Sequence, residues 1–131
     1  DAQESRGLGD VYKRQILIVE DNDELREYLR RTLSEQYNIQ VCSNGKEALT
    51  IVKEYMPNLV ISDIMMPEMR GDDFLEWIKA NELFKHIPVI MLSSEDSTTE
   101  RIRLLEIGAE DYIVKPFNPM ELKIRVKKII E

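Results

Sequence analysis

A single cysteine, Cys42, among 131 residues excludes an internal disulfide framework and fits a reducing compartment. It sits in a run of alternating polarity and reads as a small buried hydrophobe rather than a reactive thiol. The lone histidine, His86, has no partner at ligand spacing, so it reads as a surface loop residue and a phosphohistidine carrier is not expected. Glycine and proline are scarce, five of each, and aromatics make up 7%, which is a globular and not a low-complexity composition. No apolar run approaches the ~18 residues of a membrane span, and no apolar secretory core opens the chain. A cytoplasmic protein without a membrane partner is the expectation. Positive charge is also short: 18 basic against 25 acidic residues leave a net charge of −7, which argues against direct gripping of a nucleic-acid backbone.

What is present fits one domain. A chain this long buries roughly two-thirds of its unfolded surface and needs no staple. Residues 1–14 (DAQESRGLGDVYKR) show no period and read as a disordered leader or a remnant outside the fold; the domain is expected over 15–131. From Gln15, short apolar runs alternate with amphipathic stretches. Ile16–Val19, Asn38–Ser43, Leu59–Ser62, Pro88–Leu92 and Tyr112–Val114 are the strand candidates. Between them, Leu25, Tyr28, Leu29 and Leu33 keep helical spacing, and Lys46–Tyr55 is helical again. Asp72 or Asp73 is placed to cap a third helix bearing Phe74, Leu75, Trp77 and Ile78. A fourth helix, Thr98–Ile107, stops at Gly108, and Pro119 opens the last.

Five strand–helix units with wholly apolar strands imply an α/β fold: a single doubly wound five-stranded parallel sheet with five helices covering both faces. In such sheets ligands bind beyond the carboxyl ends of the strands. The residues there are Glu20 and Asp21 after the first strand, Asp63 after the third, Ser93 after the fourth and Lys115 after the fifth. Each alone has an ordinary explanation, Asp63 as a strand-end residue, Glu20–Asp21 as a helix N-terminus and Lys115 as a solvated lysine. Together they gather three carboxylates, a hydroxyl and an ammonium at one rim. Carboxylates ~4 Å apart repel by about 4 kcal/mol per pair at an effective dielectric near 20. Protonation or a hard divalent cation must relieve that, and Mg²⁺ suits an all-oxygen set with sites left for water and a phosphoryl oxygen. Such a site stabilises phosphate on a carboxylate.

The strings ILIVEDND, LVISDIMMPEMRG, PVIMLSSED and GAEDYIVKPFNP resemble the CheY-like receiver domains of two-component response regulators, in order and spacing, over about Gln15 to Glu131. The resemblance implies the strand order 2-1-3-4-5 and a role as a signalling switch rather than an enzyme proper. Asp63 resembles the phosphoacceptor, taking its phosphoryl group from a sensor histidine kinase or phosphotransfer protein. Asp21 resembles the direct Mg²⁺ ligand, Glu20 a ligand through water, and Met65 the backbone-carbonyl ligand. Ser93 and Lys115 resemble the two residues that hold the phosphoryl oxygens, with a cis Lys115–Pro116 peptide. Tyr112 resembles the switch aromatic, though a core tyrosine serves equally well at that position. Glu20 and Ser93 replace the commoner Asp and Thr and keep the needed atoms.

The run ERIRLLEIGAEDYIVKPFNPMELKIRVKKI resembles the OmpR/PhoB group, whose receivers pair through complementary charges on this face. The matching pairs are Arg101 with Glu121, Glu106 with Lys127, and Asp111 with Arg125, around Leu105 and Ile124. A phosphorylation-favoured homodimer follows as an expectation, against the alternative of ordinary surface pairs worth about 0–1 kcal/mol each. Kinase docking is expected through Asn22, Leu25, Tyr28 and the Pro116–Phe117 loop, and transcription is the expected output through a domain not in this sequence. The chain then reads as a stand-alone receiver or as part of a regulator or hybrid kinase. Three other readings stand beside it: a phosphatase of the haloacid-dehalogenase type acting through Asp21, a flavin mononucleotide binder, and a receiver-like module that only contacts proteins.

Overall fold

The computed structural model describes residues 13–131. The expected leader lies outside the described residues up to position 12. Arg14 is described, and its carbonyl accepts from Asn38 N at 2.9 Å, in line with the first pair of strands.

Among the described residues ten elements alternate: β1 (Gln15–Val19), α1 (Asp23–Leu33), β2 (Asn38–Cys42), α2 (Gly45–Tyr55), β3 (Leu59–Asp63), α3 (Gly71–Ala80), β4 (Val89–Ser93), α4 (Thr98–Ile107), β5 (Asp111–Val114) and α5 (Pro119–Ile130). All strand pairs are parallel and the order is β2-β1-β3-β4-β5, as the family resemblance implied. Successive residues of a strand face opposite ways, so each central strand feeds two cores. Ile16, Ile18, Leu59, Ile61, Ile90 and Leu92 pack under α1 and α5 with Leu29, Leu33, Leu122 and Val126. Leu17, Val19, Val60 and Met91 pack on the other face with Val52, Phe74, Leu75 and Leu104 of α2–α4. That double burial is why β1, β3 and β4 are apolar at almost every position. β2 is an edge, and its alternating polarity follows from Asn38 and Gln40 meeting solvent.

Four helices start on a side-chain cap, with Asn22, Asn44, Ser97 and Asn118 accepting from backbone N–H groups one turn in. The third differs from expectation. Its N-cap is Arg70 without a capping side-chain bond, and Asp72 lies inside the first turn. The backbone does the work of a cap there: Gly71 N donates to Ile64 O at 2.8 Å, after the loop turns through Glu68 at φ 69°. The carboxylate of Asp72, free of capping, is taken by arginines. Gly108 stops α4 as expected, at φ 129°, with its N–H on the Leu104 and Leu105 carbonyls. Among the described residues no helix is long and apolar enough to cross a membrane.

The Gly71 contact sets the position of α3 against the end of β3. A Cβ there would lie 1.8 Å from the Asp63 carbonyl oxygen. Gly71→Ala is therefore expected to cost about 3 kcal/mol or more, since backbone must move on both sides. Urea unfolding of the variant and the wild type measures this, and a loss under 1 kcal/mol would show the contact to be soft.

Candidate functional site

β1, β3, β4 and β5 end at the same rim of the sheet, so the residues that follow them meet. Glu20, Asp21 and Asp63 each place a carboxylate oxygen within 4.8 Å of the others. Glu20 is 1% exposed and Asp63 7%, whereas Asp21 faces solvent. Lys115 Nζ stands between the two buried groups, 3.0 Å from Glu20 Oε1 and 3.1 Å from Asp63 Oδ1. Asp63 Oδ1 also accepts from Ile64 N at 2.9 Å, and Glu20 Oε2 from Asn22 N at 3.1 Å. The Lys115–Pro116 peptide is cis, and Lys115 N donates to Ser93 O at 2.7 Å. Three carboxylates against one ammonium leave an excess of negative charge in a half-dry rim. The donor set is all oxygen and of a size to share one small hard cation.

Electrostatics record the strain of that gathering. Burial pushes the Glu20 carboxyl up to about 6, and the Asp63 charge adds to it, although Asn22 and Lys115 pull the other way. Burial alone would lower the Lys115 ammonium, but the Glu20 and Asp63 carboxylates outweigh it and hold it above the usual lysine range.

The remaining expected residues fall around this centre. Ser93 is buried, and its Oγ accepts from Glu95 N at 3.0 Å. Tyr112 is buried too, with its hydroxyl donating to the Glu95 carbonyl at 2.5 Å and the Arg101 guanidinium over its ring at 5.5 Å. The Met65 side chain is 65% exposed and meets Arg70 Nη1 through its sulfur at 3.0 Å. Cys42 is buried, and burial together with Glu47 pushes its thiol up to about 12, an unreactive state. His86 is exposed. On the α4–β5–α5 face, Ile102, Leu105 and Ile124 are exposed. Arg125 there bonds within its own chain, to Asp111 at 2.9 Å and Glu121 at 2.7 Å.

One cluster escaped the sequence reading. A cavity of about 240 Å³ beside Asp63 and Ser93 is also lined by Arg70, Glu100 and Arg103. Asp72, 8% exposed, accepts from Arg70 Nε at 3.0 Å and Arg103 Nη2 at 3.0 Å. Burial raises the Asp72 carboxyl, yet bonds from Arg70 and Arg103 more than offset this and hold it below the usual carboxylate range. Position at a helix start gave Asp72 a capping role on paper, and nothing local signals a partner 31 residues on.

Comparison with known proteins agrees with this geometry. Residues 16–127 match the family described as response regulator receiver domain. The signal receiver domain of a signal transduction histidine kinase from Syntrophus aciditrophicus superposes with a TM-score of 0.83 at 37% identity, over 89% of each chain. Histidine kinase P4 of Formosa agariphila is 44% identical over 91% of this chain but only 9% of its own length. The probable transcriptional regulator ycf27 of Cyanophora paradoxa is 38% identical over 92% of this chain and half of its own. The chain thus spans half or less of these curated relatives.

The raised Glu20 carboxyl fixes a sign for pH dependence. A proton bound more tightly in the folded chain stabilises it below the ordinary carboxyl range, and that stability is lost as pH rises through about 6. Without added metal, Glu20→Gln is expected to be the more stable form at pH 8 by up to about 2 kcal/mol, the advantage fading by pH 4.5. Urea unfolding at the two pH values checks it; an equal difference at both would refute the assignment.

Proposed function

The chain belongs to the response regulator receiver domains, and from that premise we propose that it accepts a phosphoryl group on Asp63 from a sensor histidine kinase or phosphotransfer protein. The observation that carries this is Lys115 held between Asp63 and Glu20, with Asp21 completing the carboxylate set. The free oxygen of Asp63 attacks phosphorus in line; a P–O bond forms as the P–N bond to the partner's histidine breaks, and the histidine nitrogen leaves with the electron pair. Lys115 is already beside the attacking carboxylate, so its charge meets the developing phosphoryl oxygens with little rearrangement. Ser93 supplies a hydroxyl at the neighbouring strand end. Asp21, Asp63 and the Met65 carbonyl would hold Mg²⁺, with Glu20 through water, and the bound ion would neutralise charge on the transferred group. The phosphatase alternative requires Asp21 as nucleophile. Asp21 is the exposed member of the set, and the lysine pairs with the other two.

Docking of the phosphodonor over the site is supported by an apolar recess of about 440 Å³ lined by Leu25, Tyr28, Pro116 and Phe117 beside Lys115. For output we place the switch at Ser93 and Tyr112. Ser93 Oγ and the Tyr112 hydroxyl bond the two ends of the same residue, Glu95 N and O, so movement of the serine toward a phosphoryl oxygen reaches the tyrosine through one residue. The likeness to the OmpR/PhoB group lies in the face beyond it, where Leu105 and Ile124 are exposed between Arg101, Glu106, Asp111, Glu121, Arg125 and Lys127. A phosphorylation-favoured dimer there, acting on transcription through an appended effector, fits this surface.

Incubation with acetyl phosphate and Mg²⁺ followed by intact mass is expected to add one phosphoryl group to the wild type and none to Asp63→Asn. In the same assay Tyr28→Ala keeps labelling by acetyl phosphate and slows transfer from a kinase. Unchanged labelling of Asp63→Asn would end the proposal. Light scattering with beryllofluoride and Mg²⁺ is expected to show dimers that are absent without the mimic; a monomer in both states at high concentration removes the dimer.

A further inference from the structure

The arginine pair beside the acidic rim is not absorbed by the function so far. Its geometry links three elements. The start of α3 is in hard contact with the Asp63 carbonyl at Gly71. The next residue, Asp72, reaches across to Arg103 on α4 at 3.0 Å. Arg103 also bonds Glu100 on its own helix, at 2.7 Å, and lines the cavity into which the Asp63 and Ser93 ends open. We propose that Arg103 is shared between two anions, Asp72 while Asp63 is bare and the phosphoryl group once Asp63 carries it, so that phosphorylation draws on α4 directly. The inference rests on the phosphoacceptor reading of Asp63.

Charge makes the exchange favourable. The phosphorylated carboxyl carries about two negative charges where the bare carboxylate carried one, and the guanidinium fork fits its oxygens as well as it fits a carboxylate. Loss of Arg103 does not orphan Asp72, because Arg70 stays on it at 3.0 Å; the penalty of a buried unpaired carboxylate is avoided. Glu100 sits on the same helix and holds Arg103 Nε at 3.1 Å and Nη2 at 2.7 Å, so the two side chains move together with α4. The arginine side of each pair is 41–46% exposed, so water can replace a bond as it is exchanged, although Asp72 itself is buried. In this arrangement Asp72 is a competitor of the phosphoryl group, and Arg103 is a positioning residue that couples α4 to the site.

Beryllofluoride with Mg²⁺ is the probe, titrated by NMR against the wild type, Asp72→Asn, Arg103→Gln and the double variant. Removing the competitor is expected to tighten beryllofluoride binding roughly threefold to fivefold, and removing the cation to weaken it by a similar factor. The gain from Asp72→Asn shrinks when Arg103 is already absent, and the Arg103 Nε–H resonance of the wild type shifts on binding. Unchanged affinity in Asp72→Asn, or a gain undiminished in the double variant, overturns the proposal. Should Asp72→Asn not fold, Arg103→Gln on the part-exposed side of α4 decides alone: weaker binding supports the exchange and equal binding overturns it. A wild type that fails to bind beryllofluoride would instead overturn the reading of Asp63.

Discussion

One ammonium among three carboxylates is the constraint on which this molecule turns. Lys115 lies within 3.1 Å of both Glu20 and Asp63, and Asp21 adds a third negative group at the same rim. No arrangement of a stable core demands this. The folded chain buries Glu20 beside a second negative group, and burial first, then the Asp63 charge, push its carboxyl up to about 6. A site under that tension favours whatever supplies positive charge, which is why the proposed phosphoryl transfer is placed here.

The sheet makes the gathering possible because it is dry on both faces. Apolar strands packed between two helical layers cannot slip by one residue without exposing their ends, so the residues after β1, β3, β4 and β5 are held at one level. Gly71 then extends that rigidity to the backbone. Its missing side chain lets α3 abut the Asp63 carbonyl, and the amide bond to Ile64 O replaces a side-chain cap. Around this fixed centre lie Ser93 and Tyr112, both buried and joined through Glu95, and the part-exposed Arg103 between Asp72 and Glu100. In the function proposed above, strong packing positions the chemistry and these polar bonds transmit it.

The surface divides accordingly. Leu25, Tyr28, Pro116 and Phe117 make an apolar recess next to the reactive rim, suited to a partner that must come close. Leu105 and Ile124 lie exposed on the α4–β5–α5 face among charges of both signs. Arg125 there is already engaged by Asp111 and Glu121. A second chain meeting this face must share or displace those bonds, and surface pairs in water are weak enough to allow it.

Much was legible in the residues alone. Period and run length located the five strands and five helices, because burial on two faces leaves an all-apolar strand and burial on one leaves a helical stripe. The rule that ligands meet the carboxyl ends of such strands then singled out Glu20, Asp21, Asp63, Ser93 and Lys115, and the structure brings these to one rim. Three things came only with the tertiary structure. Asp72 reads locally as a cap, since a carboxylate at a helix start is favourable anyway; its pairing with Arg103 depends on how α3 and α4 pack. The inward Tyr112 and its bond to Glu95 depend on the path of the β4–α4 loop. The tension on Glu20 depends on how deeply the first loop is covered, which pattern cannot express. Local sequence decides which atoms can act, and packing over long separations decides which charges must live together.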